Sequence, residues 1–174
     1  MNKCNKVILI GFMASGKSSV AEHLAPQLGW DIRHLDDDIV SRSGLPSVAA
    51  IFKEHGEPYF RELEAEAARS LRDADKVVIA AGGGVISRAA NMENLSANDG
   101  VVVYLKTSFE TIADRIGEVS TRPLFADKAS ALDLYMKRLP VYESYADITV
   151  DTDDRTTEEV SEEILNQLRP SVCD

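Results

Sequence analysis

The sequence predicts an α/β fold with a five-stranded parallel sheet covered by helices on both faces, and three observations carry that reading. Short, wholly apolar runs recur along the chain, apolar residues at helical spacing fill the stretches between them, and glycines stand at the ends of several runs. A continuous apolar strand suits a parallel sheet buried on both sides, and alternation of strand with helix supplies the crossovers such a sheet requires.

The first run is Val7-Ile-Leu-Ile10, ending at Gly11. After Lys17, the apolar residues Val20, Leu24 and Leu28 recur at helical spacing, and Gly29 is a natural C-terminal cap. Ile32 to Leu35 is the second strand and feeds Asp36-Asp37-Asp38. From Ile39 to about Arg72 the pattern is mainly helical, with breaks near Gly44-Leu-Pro46 and Gly56-Glu-Pro58. Val77-Val-Ile-Ala-Ala81 runs into Gly82-Gly83-Gly84 as the third strand, Val101-Val-Val-Tyr-Leu105 is the fourth with a helix after it, and Ile148-Thr-Val150 is the fifth.

With 174 residues and 44% hydrophobic content, the chain is expected to form one domain over 1–174. Its formal net charge of −10, with no basic run to offset it, argues against nucleic acid and anionic membranes as partners. The N-terminal apolar stretch is too short for a signal or a membrane span. Cys4 and Cys173 form no framework of an oxidising compartment, so a cytoplasmic location is expected, with a monomeric state. His23, His34 and His55 lack metal-ligand spacing and receive no role, and Trp30 reads as packing.

Gly11-Phe-Met-Ala-Ser-Gly16-Lys17-Ser18 has the spacing G-x-x-x-x-G-K-[ST] between a predicted strand and a predicted helix. Glycines let the backbone curl so that successive N–H groups converge on phosphate oxygens, and the following helix turns its positive end toward the same anions. Lys17 adds charge at the outer phosphates, and the Ser18 hydroxyl is suited to magnesium. Gly11, Ala14, Ser15, Gly16, Lys17, Ser18 and Ser19 are therefore the expected nucleotide-binding residues, with ATP as co-substrate and Mg2+ as cofactor. Ala14 stands where many such loops carry another glycine, and its methyl group is expected to demand a negative φ.

Four further segments give the chain a resemblance to the shikimate kinases, small phosphate-loop kinases of the nucleoside-monophosphate-kinase-like group, from Val7 to about Leu168. They are Leu35-Asp36-Asp37-Asp38-Ile39, the stretch Ile51-Phe52 through Gly56-Glu57 and Phe60-Arg61 to Glu64, Ala80-Ala81-Gly82-Gly83-Gly84-Val85-Ile86, and Arg115 to Arg138 with Thr121-Arg122-Pro123-Leu124. The resemblance implies a three-layer fold with a mobile lid over 114–127 and an acceptor-binding region over 36–62. By the match to a D-x-D motif, Asp36 would organise hydrated magnesium together with Ser18, and Asp38 would bind substrate hydroxyls and take a proton. The bland reading of the same triplet is that these acids cap the next helix.

The resemblance further implies that Arg61 and Arg138 bind the acceptor carboxylate, with Glu64 holding Arg61, and that Gly82, Gly83 and Gly84 line the acceptor pocket. A guanidinium fork matches a carboxylate bidentately, which gives that assignment independent chemical sense. Arg122 would close over the transferred phosphoryl group, while Arg115 and Arg155 would flank the adenine. Lys17, Asp38 and Arg122 are thus the expected catalytic residues. The implied reaction moves the γ-phosphoryl of ATP to the 3-hydroxyl of shikimate, a step toward chorismate and the aromatic amino acids. Phosphorylation of another small acceptor such as gluconate or a nucleoside monophosphate is the alternative within the kinase class. A non-catalytic nucleotide-binding relative is the alternative outside it.

Overall fold

The computed structural model describes residues 4–116 and 127–172. Five strands, β1 (Lys6–Ile10), β2 (Asp31–His34), β3 (Val77–Ala80), β4 (Gly100–Lys106) and β5 (Ile148–Asp151), form one sheet in the order β2-β3-β1-β4-β5. Every neighbouring pair is parallel. Among the described residues the helices are α1 (Lys17–Leu28), α2 (Leu35–Ser43), α3 (Val48–Ser70), α4 (Ala89–Ser96), α5 (Phe109–Ile116), α6 (Lys128–Tyr145) and α7 (Thr157–Val172), with a 3₁₀ turn at Val85–Ser87.

Because side chains alternate across a strand, each central strand feeds two separate cores. Val7 and Leu9 of β1, Val78 and Ala80 of β3, and Val103 and Leu105 of β4 pack with α1 and α7. Their alternates Ile8, Ile10, Val77, Ile79, Val102 and Tyr104 pack with residues of α2 through α6. The result is helix, sheet, helix in three layers, as the apolar runs imply.

Local chemistry sets the helix ends. Gly29 caps α1 in the left-handed region at φ 68°, and its N–H with that of Trp30 returns to the carbonyls of the last turn. Ser47 caps α3, its side chain accepting from the Ala50 N–H at 3.1 Å. Inside α3, Gly56 has φ 78° and ψ 175°, so the helix is two segments meeting at a kink, followed by Pro58. Both breaks predicted between Ile39 and Arg72 occur.

One boundary differs in a way that matters for the site. Leu35, read as the last residue of the second strand, is instead the first residue of α2, so Asp36, Asp37 and Asp38 all lie in that helix's first turn. There, three carboxylates face the positive end of the helix dipole.

Lys6 is fully buried, and its ammonium donates to the carbonyls of Leu71 at 2.9 Å and Arg72 at 2.8 Å, closing the C-terminal end of α3 against the start of β1. Burial pushes its pKa below the usual lysine value. No helix among the described residues is long and apolar enough to cross a membrane.

Candidate active site

A cleft of about 850 Å³ opens along the C-terminal edge of the sheet, where a parallel α/β sheet presents its loops. Its floor is the turn between β1 and α1. Gly11 has φ 151°, and a Cβ there would come within 2.8 Å of the Leu105 carbonyl oxygen and of Ser15 Oγ, so only glycine permits this curl. Gly16 has φ 93°. Lys17 folds over the loop, its Nζ donating to the Gly11 carbonyl at 2.9 Å, the Phe12 carbonyl at 2.8 Å and Ser15 Oγ at 3.3 Å. Ser15, Gly16, Lys17, Ser18 and Ser19 all wall the cleft.

Ala14 corrects the expectation placed on it. Its φ is 58°, in the left-handed region, and not negative. The turn keeps the glycine-like conformation despite the methyl group because neighbours hold it. Arg115 of α5 donates from Nη1 to the Ala14 carbonyl at 3.2 Å and from Nη2 to the Thr152 carbonyl at 3.0 Å. Thr152 and Arg155 line the same end of the cleft, after β5. Arg155 is anchored by the carbonyls of Asp151 and Glu159, each at 3.0 Å, and by Glu163 Oε2 at 2.5 Å.

The opposite end is built by α2, α3, α6 and the glycine triplet. The kink at Gly56 turns the second segment of α3 so that Phe60, Arg61 and Glu64 face the cleft. The Arg61 guanidinium donates to Glu57 Oε1 at 3.0 Å and to Glu64 Oε2 at 3.0 Å, which fixes its fork against the wall. Glu64 is 1% exposed, and burial raises its pKa while the adjacent Arg61 opposes the rise. Two carboxylates and burial surround Arg61, and its charged form is reinforced.

The triplet serves these charged groups as well as the backbone. A Cβ on Gly84 would lie 2.5 Å from Arg61 Nη1, and one on Gly82 would lie 3.0 Å from Asp36 Oδ1. Any side chain at those positions would displace the arginine or crowd the aspartate. Arg138 Nη1 lies 3.8 Å from where a Gly83 Cβ would stand, and the Arg138 guanidinium sits 5.9 Å from the Phe12 ring centre. Arg61, Glu64, Arg138 and Asp36 thus converge on the three glycines.

The pair Asp36 and Asp38 separates. Asp36 walls the cleft beside Gly82 and Glu64, whereas Asp38 accepts from Arg33 Nη2 through Oδ1 at 2.6 Å and its Oδ2 is buried without a hydrogen-bond partner. Two residues apart on a strand share a face, but two apart on a helix point in nearly opposite directions. Because the helix begins at Leu35, Asp36 and Asp38 leave its first turn in different directions, with Asp36 beside the glycine triplet. Arg122 lies outside the described residues, as does most of the 114–127 segment.

His34 is a wall residue that no motif or spacing singled out. It reaches the cleft because β2 pairs with β3 in a register that sets His34 beside Ala80, at the edge where the triplet begins. Its Nε2 lies 3.9 Å from Glu22 Oε1, one helical turn beyond Ser18 on α1. Thr156, just before α7, and the apolar residues Val48 and Ala49, at the start of α3, were likewise invisible as wall residues.

No group of three or more His, Cys, Asp or Glu side chains able to hold a metal occurs among the described residues. Magnesium accompanying a nucleotide needs no such cage, since it keeps several waters and takes one or two protein oxygens beside phosphate oxygens. The Ser18 hydroxyl and Asp36 carboxylate, hard oxygen donors in one cleft, suit that requirement.

A family model described as SKI, shikimate kinase, matches residues 13–169. The chain is 39% identical over 171 residues to a shikimate kinase of Dehalococcoides mccartyi, covering 97% of this chain and 96% of the relative. The shikimate kinase of Thermodesulfovibrio yellowstonii is 37% identical over 164 residues, covering 92% and 93%. Among solved structures, a shikimate kinase of Acinetobacter baumannii in complex with shikimate superposes with a TM-score of 0.90 at 30% identity, covering 99% of this chain and 97% of that one. A gluconokinase of Sinorhizobium meliloti, at 19% identity and a TM-score of 0.62, shares the fold.

Proposed function

On the premise that this chain belongs to the shikimate kinase family, we propose that it transfers the γ-phosphoryl group of ATP to the 3-hydroxyl of shikimate, giving shikimate 3-phosphate and ADP. The observation that carries the reading is the convergence of Arg61, Arg138 and Asp36 on the glycine triplet at one end of a cleft whose other end is a phosphate-binding loop. Two guanidinium groups answer one carboxylate, and a carboxylate answers ring hydroxyls.

The nucleotide phosphates lie on the loop from Gly11 to Ser18, cradled by backbone N–H groups and the N-terminal end of α1. Lys17 exchanges its loop carbonyls for the outer phosphate oxygens. Arg115, Thr152 and Arg155 place the base end of the nucleotide. Ser18 and Asp36 are the residues that would hold magnesium, which when bound would supply positive charge to offset that of the phosphates.

Arg61 and Arg138 orient shikimate through its carboxylate, so the 3-hydroxyl faces the γ-phosphorus near Asp36 and Asp38. The hydroxyl oxygen forms the new bond to phosphorus, the bond to the bridging oxygen of ADP breaks, and the hydroxyl proton passes to Asp38. Arg122 is the cation assigned to the transferring phosphoryl group by the resemblance. Alignment and electrostatic stabilisation supply most of the rate, as in other phosphoryl transfers.

The test is a coupled ADP-release assay with magnesium and ATP across shikimate, gluconate and nucleoside monophosphates. ADP release is expected with shikimate. Turnover with another acceptor in its place, or ATP binding without acceptor-dependent turnover, overturns the assignment.

A further inference from the structure

We infer that Phe12 is a positioning residue for the acceptor: its ring is the seat of the Arg138 guanidinium, so that the nucleotide loop itself presets a cation that meets the acceptor carboxylate. Phe12 follows Gly11 in the turn between β1 and α1, and none of the fixed positions of the loop's spacing falls on it. Its side chain is nevertheless only 2% exposed, and the Arg138 guanidinium stands over its ring, 5.9 Å from the centre. At that range the negative face of an aromatic ring attracts a guanidinium.

The seat is fixed from two sides. Tyr135 stands three residues before Arg138 on α6 and shares its face, and the Tyr135 ring meets that of Phe12 with centres 5.4 Å apart and planes at 88°. Tyr135 is itself anchored, its hydroxyl donating to the Thr107 carbonyl after β4 at 2.8 Å. The Phe12 backbone is held separately, because its carbonyl accepts from Lys17 Nζ at 2.8 Å and from the Ser15 N–H at 3.3 Å. One residue therefore serves the nucleotide end of the cleft with its carbonyl and the acceptor end with its ring. From this seat Arg138 Nη1 reaches to 3.8 Å from where a Gly83 Cβ would stand, at the glycine triplet.

Arg61 is fixed by ion pairs to Glu57 and Glu64. An aromatic face restrains a cation differently, without occupying its N–H donors, so an arginine seated this way keeps its fork for an incoming carboxylate. An arginine on a solvated helix face would lose rotamer entropy each time it gripped such an anion. Seated on Phe12, Arg138 has already lost much of it. The ring thus acts on acceptor affinity, through Arg138, without touching the acceptor.

This inference rests on the acceptor assignment above. Shikimate-dependent ADP release by the unaltered protein tests that assignment first, and the ratios between variants then test Phe12. Replacing Phe12 with mono-, di- and trifluorinated phenylalanine keeps the shape of the ring while draining negative charge from its face. Steady-state kinetics are measured on each protein with shikimate varied and with ATP varied. The KM for shikimate should rise step by step with each fluorine, to about fivefold in the trifluorinated protein. The KM for ATP and kcat should each stay within about twofold. Phe12→Leu, which removes the ring, should raise the shikimate KM at least as far as the trifluorinated protein does. A shikimate KM that stays level or falls across the fluorinated series overturns the inference. So does an equal rise in the KM for ATP, which marks a general disturbance of the loop.

Discussion

Arg115 holds Ala14: one guanidinium joins the left-handed turn of the phosphate loop to the Thr152 carbonyl after β5, bridging residues 101 apart in sequence at the first contact. A methyl-bearing residue at φ 58° carries backbone strain, and that strain sits where the nucleotide's phosphates and base are brought into one alignment.

Relieving it should stabilise the protein. A left-handed alanine costs about 1–2 kcal/mol, and glycine returns about half of the gain through its freer unfolded chain. Ala14→Gly should therefore raise the thermal midpoint by roughly 2–4 °C, read by calorimetry without ligand. A lower midpoint would show that the alanine side chain packs more strongly than the turn strains.

Asp36 and Asp38 should differ sharply on substitution. Asp38→Asn should lower kcat on the order of a hundredfold or more, because it removes the proposed proton acceptor beside the acceptor hydroxyl. Asp36→Asn keeps that acceptor and should lower kcat by about tenfold with a raised magnesium requirement, since Asp36 is the residue proposed to help hold the metal. Parallel kcat measurements on the two variants decide it, and the reverse ranking would move the acceptor role to Asp36.

Lys17→Ala should reduce kcat by roughly two to three orders of magnitude, the usual effect of losing one charge at a transferring group. Arg61→Ala should act differently, raising the shikimate KM on the order of tenfold to a hundredfold while leaving nucleotide affinity nearly intact. Calorimetric titration with ATP, beside the kinetics, separates the two effects.

Glu64→Gln should weaken the acceptor site without touching the acceptor. Glu64 is the buried anchor of the Arg61 fork, bonded at 3.0 and 3.2 Å, and a neutral amide holds a guanidinium less firmly. A shikimate KM raised by about threefold to tenfold, smaller than the effect of Arg61→Ala, is the expected outcome.

Lys6 gives a prediction in pH. Its folded-state pKa is lowered by burial, so between that value and the unfolded value of about 10.4 the unfolded chain binds more protons. Stability contributed by Lys6 therefore increases as pH rises through this window, because the neutral amine can still donate to the Leu71 and Arg72 carbonyls. Lys6→Met should cost about 1–3 kcal/mol at neutral pH by leaving two carbonyls unpaired. The gap between the two proteins in denaturant melts should widen toward pH 10; a gap that narrows would refute the sign.

Features written within a few neighbouring residues were determined by the sequence alone. Gly11 to Ser18 encodes its own curl, the apolar runs of β1, β3 and β4 encode burial on both faces, and Gly29, Gly44 and Gly56 mark helix ends or kinks at positive φ. Such signals depend on local sterics and on period, both visible in a single chain. The separate direction of each acid was decided by tertiary structure, because moving one residue, Leu35, from strand to helix changes the angle between Asp36 and Asp38. So was the entry of His34, set by its pairing beside Ala80. The links of Lys6 to Leu71, Tyr142 to Gly83 and Arg115 to Ala14 span 65, 59 and 101 residues. Hydrogen bonds of that reach carry no period and no spacing, and exist only once the sheet has brought distant backbone carbonyls beside buried donors.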